Sequence, residues 1–411
     1  MKSTHNTDSN SLNKIMRKMI EGIVLGVGFL AILVATTGCE KTDRSFSLAQ
    51  GSQTLKTTAT YVPRKIDILW VVDNSNSMLS SQQNLTNNFS GFISRFQSLS
   101  FDFKMGFTGT DAYKSKYSTN TVGSAGYDAG LPTPTDLIRL RDGRLVGRYV
   151  ESGTGNLINV AATHSGSSIL DNTMSASSIT SNFVTNASQY FHGSGDERAF
   201  ESMKDVLSSS ENTGFNRSGA YFAVIVISDE DDFSSKSSKY LSTQTDASGN
   251  PGVQDDYNSP SLQPLSIYKD YLDTLVGAGS YSVNVIAALD SACVTALQSG
   301  DGITGRKVGT RYMQMADLTG GEKVSLCDPN FANALKLISD KILEVASEYT
   351  LEREPVLGTI AVSNNGVTVP ESSTNGWSYD SATKKVSFHG TALPSSGDNV
   401  VISFDPVSQT F

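Results

Sequence analysis

The pattern of apolar positions predicts alternating strands and helices over most of the chain. Unbroken apolar runs at 65–72 (KIDILWVV) and 221–227 (YFAVIVI) are typical of strands buried on both faces of a parallel sheet. Further strands are predicted at 101–107 and 281–289, with an edge strand at 322–326. Helical spacing of apolar residues predicts helices at 78–96, 177–190, 197–207, 265–276, 311–318 and 331–346. Strands that alternate with helices in this way predict an α/β sheet.

The pattern changes near residue 355. Short alternating runs follow, separated by Asn-Gly and Ser-Gly turns. They predict strands at 360–362, 367–369, 377–379, 385–388 and 400–404. We therefore predict a small all-β appendage at 353–411, which at this size needs the neighbouring domain for part of its core.

A long stretch rich in Gly, Thr and Tyr interrupts the α/β pattern. Within it, Asp142-Gly143 lies between two alternating runs, which indicates a β-hairpin. We interpret the stretch as an insertion at about 111–190 in an α/β domain that covers 63–352.

The amino-terminal part carries the pattern of an export signal. The apolar run 23–37 is short for a membrane-spanning helix but has the length of a signal-peptide core, and Lys14, Arg17 and Lys18 precede it. Translation from Met16 or Met19 instead of Met1 would give a signal of ordinary length. An uncleaved membrane anchor is the alternative interpretation.

The apolar run ends at Thr37-Gly38-Cys39, which resembles the lipobox of bacterial lipoproteins. The resemblance implies a signal peptide at 1–38 that is removed, and diacylglycerol on the sulfur of Cys39. The polar residues that follow predict a flexible tether at 39–62. Glu40 stands where an Asp usually signals inner-membrane retention in that family, so we expect an outer-membrane lipoprotein, facing the periplasm or the exterior.

The remaining cysteines fit the same compartment. The chain has three cysteines, so lipidation of Cys39 leaves Cys293 and Cys327 as a pair. In an oxidising compartment this pair predicts a disulfide, with two free thiols as the alternative.

Length and composition limit the possible domain organisation and function of the chain. At about 150 residues per domain, 411 residues suggest two domains or one large domain with an appendage. An apolar share of 38% is enough for a buried core and excludes a wholly disordered chain. The net charge of −9 argues against nucleic-acid binding, which needs a basic face.

Candidate chemistry follows the first buried strand. Asp73-Asn74-Ser75-Asn76-Ser77 lies directly before a predicted helix, and alternate residues of a tight loop point the same way. Asp73, Ser75 and Ser77 would therefore face one point with hard oxygen atoms, which suit Mg²⁺, Mn²⁺ or Ca²⁺. Neutral hydroxyls leave such a cation under-neutralised, so a partner's carboxylate can complete the shell. The alternative is a turn in which Ser77 only caps the helix.

This DxSxS pattern resembles the metal-ion-dependent adhesion site of von Willebrand factor A (VWA) domains. The resemblance implies their Rossmann-like fold, a mostly parallel central sheet flanked by helices, and two further metal-binding loops. Ser194 is the candidate for the Thr of the second loop, and Asp229 matches the Asp that follows the next buried strand. The acidic residues 230–232 have a solvated loop as their alternative interpretation. The expected metal ligands are Asp73, Ser75, Ser77, Ser194 and Asp229, with Mg²⁺ as the expected cation and Mn²⁺ or Ca²⁺ as alternatives.

More of the chain resembles a group of bacterial lipoproteins that contain this domain. The similar pieces are the lipobox, Gly109-Thr110-Asp111, 193–197, 228–232, the late cysteine pair and 376–380. Asp111 would lie near the metal as a supporting group. The resemblance implies a metal-dependent, adhesion-type protein-binding module on a lipid-anchored cell-envelope protein, in which the cation bridges to an Asp or Glu of a protein partner.

Two other functions remain open. In an envelope scaffold, the metal site would be structural and the β appendage would make the contacts. A hydrolase would need a serine elbow or a comparable Ser/His pairing, and Ser75 does not lie in such an elbow. We interpret His164 and His389 as surface residues and His192 as a residue leading into a helix, so we do not expect an enzyme.

Overall fold

The computed structural model describes residues 57–61, 64–110, 112–113, 169–189, 197–208, 212–235 and 262–407, with the backbone of four short strands between 139 and 159. One compact unit, Thr54–Phe411, contains all of them. The predicted signal peptide, Cys39 and most of the predicted insertion lie outside the described residues. Within the described part of the chain, no helix is long and apolar enough to cross a membrane.

The strands and helices are numbered along the chain. The strands are β1 (Thr57–Tyr61), β2 (Ile66–Val72), β3 (Phe103–Gly109), β4 (Arg139–Arg141), β5 (Arg144–Val146), β6 (Arg148–Val150), β7 (Leu157–Asn159), β8 (Leu170–Asp171), β9 (Tyr221–Ser228), β10 (Tyr281–Ala287), β11 (Lys323–Ser325), β12 (Tyr349–Thr350), β13 (Ala361–Asn364), β14 (Val367–Val369), β15 (Trp377–Asp380), β16 (Lys385–Phe388) and β17 (Val400–Phe404). The helices are α1 (Leu79–Ser98), α2 (Ala176–Ala187), α3 (Ala199–Ser208), α4 (Leu265–Val276), α5 (Ser291–Asp301), α6 (Thr310–Thr319) and α7 (Phe331–Ala346).

The central sheet is mostly parallel, as the apolar runs predict. Among the described strands its order is β11-β10-β9-β2-β3-β8. The pairs from β11 to β3 are parallel, and β8 is antiparallel to β3. Every residue of β2, β9 and β10 is buried, because helices cover both faces of these strands.

The two faces of the sheet build two apolar layers. Alternate residues of β2 point in opposite directions, so Ile68 and Trp70 pack with α1, α2 and α7, whereas Leu69 and Val71 pack with α3, α4 and α6. The prediction of an α/β sheet flanked by helices is therefore confirmed.

The end of the predicted insertion belongs to this core. Phe183 of α2 stacks on Phe89 of α1 and meets the edge of Trp70. Further upstream, β4 pairs with β5 in antiparallel fashion on either side of the predicted Asp142-Gly143 turn, which itself lies outside the described residues.

Small antiparallel sheets follow α7, as predicted. In the described residues their orders are β1-β17-β13-β14 and β12-β16-β15. Their buried residues, such as Phe388 and Ile402, belong to the same apolar cluster as α1 and α7. The appendage therefore shares one core layer with the α/β sheet.

The predicted tether needs a correction at its end. Residues Thr57–Tyr61 do not continue a flexible segment but form β1, which pairs with β17 from Thr57 opposite Phe404 to Tyr61 opposite Val400. The sequence TTATY contains no apolar run that would predict a strand. The strand forms because the edge of β17 offers backbone hydrogen-bond partners.

The predicted disulfide is present. Cys293, in the first turn of α5, is bonded to Cys327, which follows β11. The bridge fastens α5 to the edge of the central sheet.

Candidate metal centre

The candidate metal-binding residues lie at the carboxyl ends of β2 and β9. These strands are parallel neighbours with Val72 opposite Ile227, and the Asp73 N–H donates to the Ile227 carbonyl at 2.9 Å. This register places Asp73 and Asp229 side by side at the edge where loops of a parallel sheet converge.

Hydrogen bonds connect the predicted ligands into one chain. The Ser75 and Ser77 hydroxyls are 3.1 Å apart, and Ser77 Oγ donates to Asp229 Oδ1 at 2.8 Å. The Ser75 N–H donates to Asp73 Oδ1 at 2.8 Å, and Ser228 Oγ donates to Asp73 Oδ2 at 2.6 Å. The structure thus brings Asp73, Ser75, Ser77 and Asp229 together, whereas Ser194 and Asp111 lie outside the described residues.

The two carboxylates are buried next to each other. Asp73 and Asp229 have no solvent exposure. Burial, reinforced by the charge of Asp229, raises the pKa of Asp73 to about 7. Burial also raises the pKa of Asp229, although hydrogen bonds from Arg306 and Ser77 oppose this shift. A cation beside this pair would relieve the cost of both charges, and its ligands would be the hard oxygens that Mg²⁺ and Ca²⁺ prefer. The residues present fit such an ion.

Ser77 does not act as a helix cap. Residues Asn76–Met78 form a short 3₁₀ turn, and the N-cap of α1 is Met78, which makes no side-chain capping bond. The Ser77 hydroxyl donates to Asp229 instead, so the capping interpretation of this serine is wrong.

Gln82 supports the loop from the first turns of α1. Its Nε2 donates to the Asp73 carbonyl at 2.7 Å, and its Oε1 accepts from the Gln189 N–H at 3.1 Å. This buried bridge fixes the backbone of Asp73 against the segment after α2, and the sequence analysis missed it.

The acidic residues after Asp229 are not a solvated loop. Asp231 accepts the Arg311 N–H at 3.0 Å in the first turn of α6. Asp232 accepts the Phe200 N–H at 3.1 Å in the first turn of α3, and it also pairs with the Arg311 guanidinium at 3.2 Å. Both carboxylates are fully buried, so they anchor two helix amino termini around the site.

An arginine that the sequence analysis missed contacts the same site. Arg306 lies in the loop between α5 and α6, and its side chain is fully buried. Its Nε donates to Asp229 Oδ2 at 2.6 Å, and its Nη2 donates to the Ser77 carbonyl at 2.9 Å. The surrounding sequence, GDGITGRKVG, contains no motif that points to this contact.

The candidate centre differs from a cluster of carboxylates and imidazoles. Among the described residues, no group of three or more His, Cys, Asp or Glu side chains is arranged to hold a metal ion. The candidate centre combines two carboxylates with hydroxyls, so it is a different kind of donor set.

His389 is not the surface residue that the sequence analysis expected. Its Nε2 lies 2.7 Å from Ser378 Oγ, and its Nδ1 lies 3.5 Å from Glu344 Oε1. Glu344 belongs to a row of acidic residues spaced four apart, two on α7 and one just after its end, and each lies beside a basic side chain. The pairs are Asp340–Arg95, Glu344–His389 and Glu348–Lys385. This row binds α7 to α1 and β16, which accounts for His389 as a structural residue.

Comparison with known proteins gives distant structural likeness. No family model matches the chain, and no curated protein matches it. Among solved structures, the pilus adhesin SpaC from Lactobacillus rhamnosus GG in its open conformation has a TM-score of 0.37 and 12% identity over 85% of this chain and 42% of that one. Proximal thread matrix protein 1 from the mussel byssus has a TM-score of 0.34 and 11% identity over 72% of this chain and 52% of that one. Human COPII-coat protein Sec24c has a TM-score of 0.30 and 9% identity, with coverage of 85% and 40%.

This chain therefore spans about half of the length of these proteins or less. Likeness at this level assigns no family, activity or partner to the chain.

Proposed function

We propose that the chain is a VWA-type, metal-dependent protein-binding module of the cell envelope. The observation that carries the proposal is the hydrogen-bonded chain of Asp73, Ser75, Ser77 and Asp229 at the shared edge of β2 and β9. Burial of Asp73 beside Asp229 costs free energy, which a bound cation would offset.

The donor set favours binding of an acidic partner. Asp73 and Asp229 would supply negative charge, and Ser75, Ser77 and the proposed Ser194 would supply neutral oxygens. A bound Mg²⁺ would have neutral oxygens in part of its shell, and the carboxylate of a partner's Asp or Glu would fill the position that this chain leaves open. We propose binding rather than catalysis, and we propose attachment to the outer membrane through lipid on Cys39.

The test is a calorimetric titration of Mg²⁺, Mn²⁺ and Ca²⁺ into soluble protein that begins at Glu40. We expect binding of one cation, weakened at least about tenfold in the double variant Ser75→Ala/Ser77→Ala, because both hydroxyls contact the ion. Ser80→Ala is the matched control, since Ser80 is an exposed serine in the same segment. Glutamate-containing peptides should then be retained only with the cation, and their glutamine analogues should not. Absence of cation binding by the unaltered protein would contradict the proposal.

An envelope scaffold remains the second candidate, because large apolar side chains are exposed on the appendage. Leu357 is 73% exposed and Val367 is 69% exposed. Deletion of the appendage cannot test this candidate, since its residues share the core with α7. The double variant Leu357→Ser/Val367→Ser removes these two exposed apolar side chains and leaves the buried core residues unchanged.

If the adhesion proposal holds, we expect this variant to bind cation and acidic peptides as the unaltered protein does. Co-purification of envelope partners with each variant is the measurement. Loss of partners from Leu357→Ser/Val367→Ser, with cation binding intact, would favour the scaffold instead.

A further inference from the structure

Arg306 places a permanent positive charge against the candidate metal centre. Its guanidinium contacts Asp229 Oδ2 at 2.6 Å, and both side chains have no solvent exposure. A guanidinium stays protonated at any pH that the fold survives, so this charge cannot be switched off.

The orientation of Arg306 is fixed from the other side by Asp301. Nη1 and Nη2 donate to the two oxygens of the Asp301 carboxylate at 2.7 and 2.6 Å, and Nη1 also donates to the Ile303 carbonyl at 3.0 Å. Two parallel bonds of this kind hold a guanidinium in one plane. The donors that remain point at Asp229 and at the Ser77 carbonyl.

Both carboxylate oxygens of Asp229 accept hydrogen bonds. Oδ2 accepts from Arg306, and Oδ1 accepts from Ser77 Oγ. The Lys307 N–H also donates to the Asp229 carbonyl at 3.1 Å, which ties the Arg306 loop to this residue. Each oxygen keeps a second lone pair, so Asp229 can still face a cation, but Arg306 offsets its negative charge.

We propose that Arg306 is a positioning residue that holds Asp229 in place beside the bound cation and offsets its negative charge there. This inference rests on the proposed function and specifies how the site selects its ligand. The cation is left with more positive charge, so it binds weakly alone and tightly together with a carboxylate from outside, and the two ligands are thermodynamically coupled.

The experiment compares Mn²⁺ affinity, measured by calorimetry and by electron paramagnetic resonance, with and without acetate as the carboxylate probe. For Arg306→Gln we expect Mn²⁺ to bind at least about tenfold more tightly without acetate, since a positive charge beside the site is removed and the charge of Asp229 is no longer offset. We also expect acetate to increase this affinity less than it does in the unaltered protein. A residue with a merely structural role would not change this ratio.

Two further variants secure the comparison. Arg306→Lys keeps the charge but cannot bridge Asp229 and Asp301 together, so we expect an intermediate result, and it carries the test if Arg306→Gln does not fold. Lys323→Gln makes the same change of charge in a surface ion pair with Asp317 and should behave like the unaltered protein.

The outcomes separate the inference from the proposed function. Tighter Mn²⁺ binding by Arg306→Gln than by the unaltered protein, with a smaller effect of acetate, would support both. Equal affinity and equal acetate dependence in the unaltered protein and both Arg306 variants would overturn the inference and leave the metal site standing. Absence of Mn²⁺ binding in all of them would overturn both.

Discussion

Asp73→Asn is expected to abolish divalent-cation binding and, at the same time, to stabilise the metal-free protein at neutral and alkaline pH. Asp73 is fully buried beside Asp229, and its pKa is raised to about 7, so its charge in the metal-free fold costs free energy. Asparagine removes that charge and can still bond to the Ser75 N–H and to Ser228. Loss of the ligand should reduce cation affinity by more than about 100-fold, because even groups behind the ligands are worth 10- to 100-fold.

The stabilisation should follow pH in one direction. Unfolded Asp73 titrates near its ordinary pKa of about 4, whereas in the fold its pKa is about 7. Between these values the unfolded chain has released the proton and the native state still holds it, so the native state loses stability as pH rises. The advantage of Asp73→Asn should therefore be absent near pH 4 and fully present above about pH 7.

Thermal unfolding in chelator, measured across this pH range, checks the expectation. Asp317→Asn is the matched control, since Asp317 is an exposed carboxylate, and it should leave the unfolding temperature and cation binding unchanged. An Asp73→Asn protein that binds Mg²⁺ normally, or that is less stable than the unaltered protein above pH 7, would show that Asp73 is not the charged ligand.

Arg217→Met is expected to cost about 3–5 kcal/mol of unfolding free energy, the cost of breaking a buried ion pair on one side. Asp67 is the second residue of β2 and has no solvent exposure. The Arg217 Nε donates to Asp67 Oδ1 at 2.8 Å, and its Nη1 contacts Asp102. Removal of the guanidinium leaves the Asp67 charge buried without this partner.

Urea denaturation of three variants measures this effect. The double variant Asp67→Asn/Arg217→Met should recover most of the loss, because no charge then remains in the strand. Lys269→Met breaks a partly exposed ion pair with Asp273 and should cost less than about 1 kcal/mol. The loss of unfolding free energy in Arg217→Met should become smaller as pH falls, because Asp67 then takes up a proton and no longer buries a charge. If Arg217→Met lost as little unfolding free energy as Lys269→Met, the Asp67–Arg217 ion pair would not have the stabilising role assigned to it.

The features that could be predicted from the sequence depend on residues that lie close together in short, continuous segments. The runs 65–72 and 221–227 predicted buried parallel strands because an unbroken apolar run fits a strand covered on both faces. The placement of Asp73 and Asp229 followed from the same strands, since parallel neighbours end at one edge.

Strand β1 and the contact of Arg306 with Asp229 were not predicted, because both depend on partners far away in the chain. Strand β1 exists because β17 offers an edge, and its own residues carry no apolar pattern. Arg306 reaches Asp229 through a loop whose shape is set by its bonds to Asp301 and Ile303. Helix α5 had a local signal that was overlooked, because Asp290 caps it by accepting the Cys293 N–H.

The direct succession of β1, β2 and Asp73 along the chain has a mechanical consequence. Along the chain, β1 is followed directly by β2, and β2 ends at Asp73. A pull between the amino-terminal segment and a ligand held at Asp73 would run lengthwise through β2, which lies between β9 and β3. The covalent backbone of β2, which is already extended, would carry this load, so its hydrogen bonds to β9 and β3 would not have to break. Tension would bypass the insertion and most of the appendage.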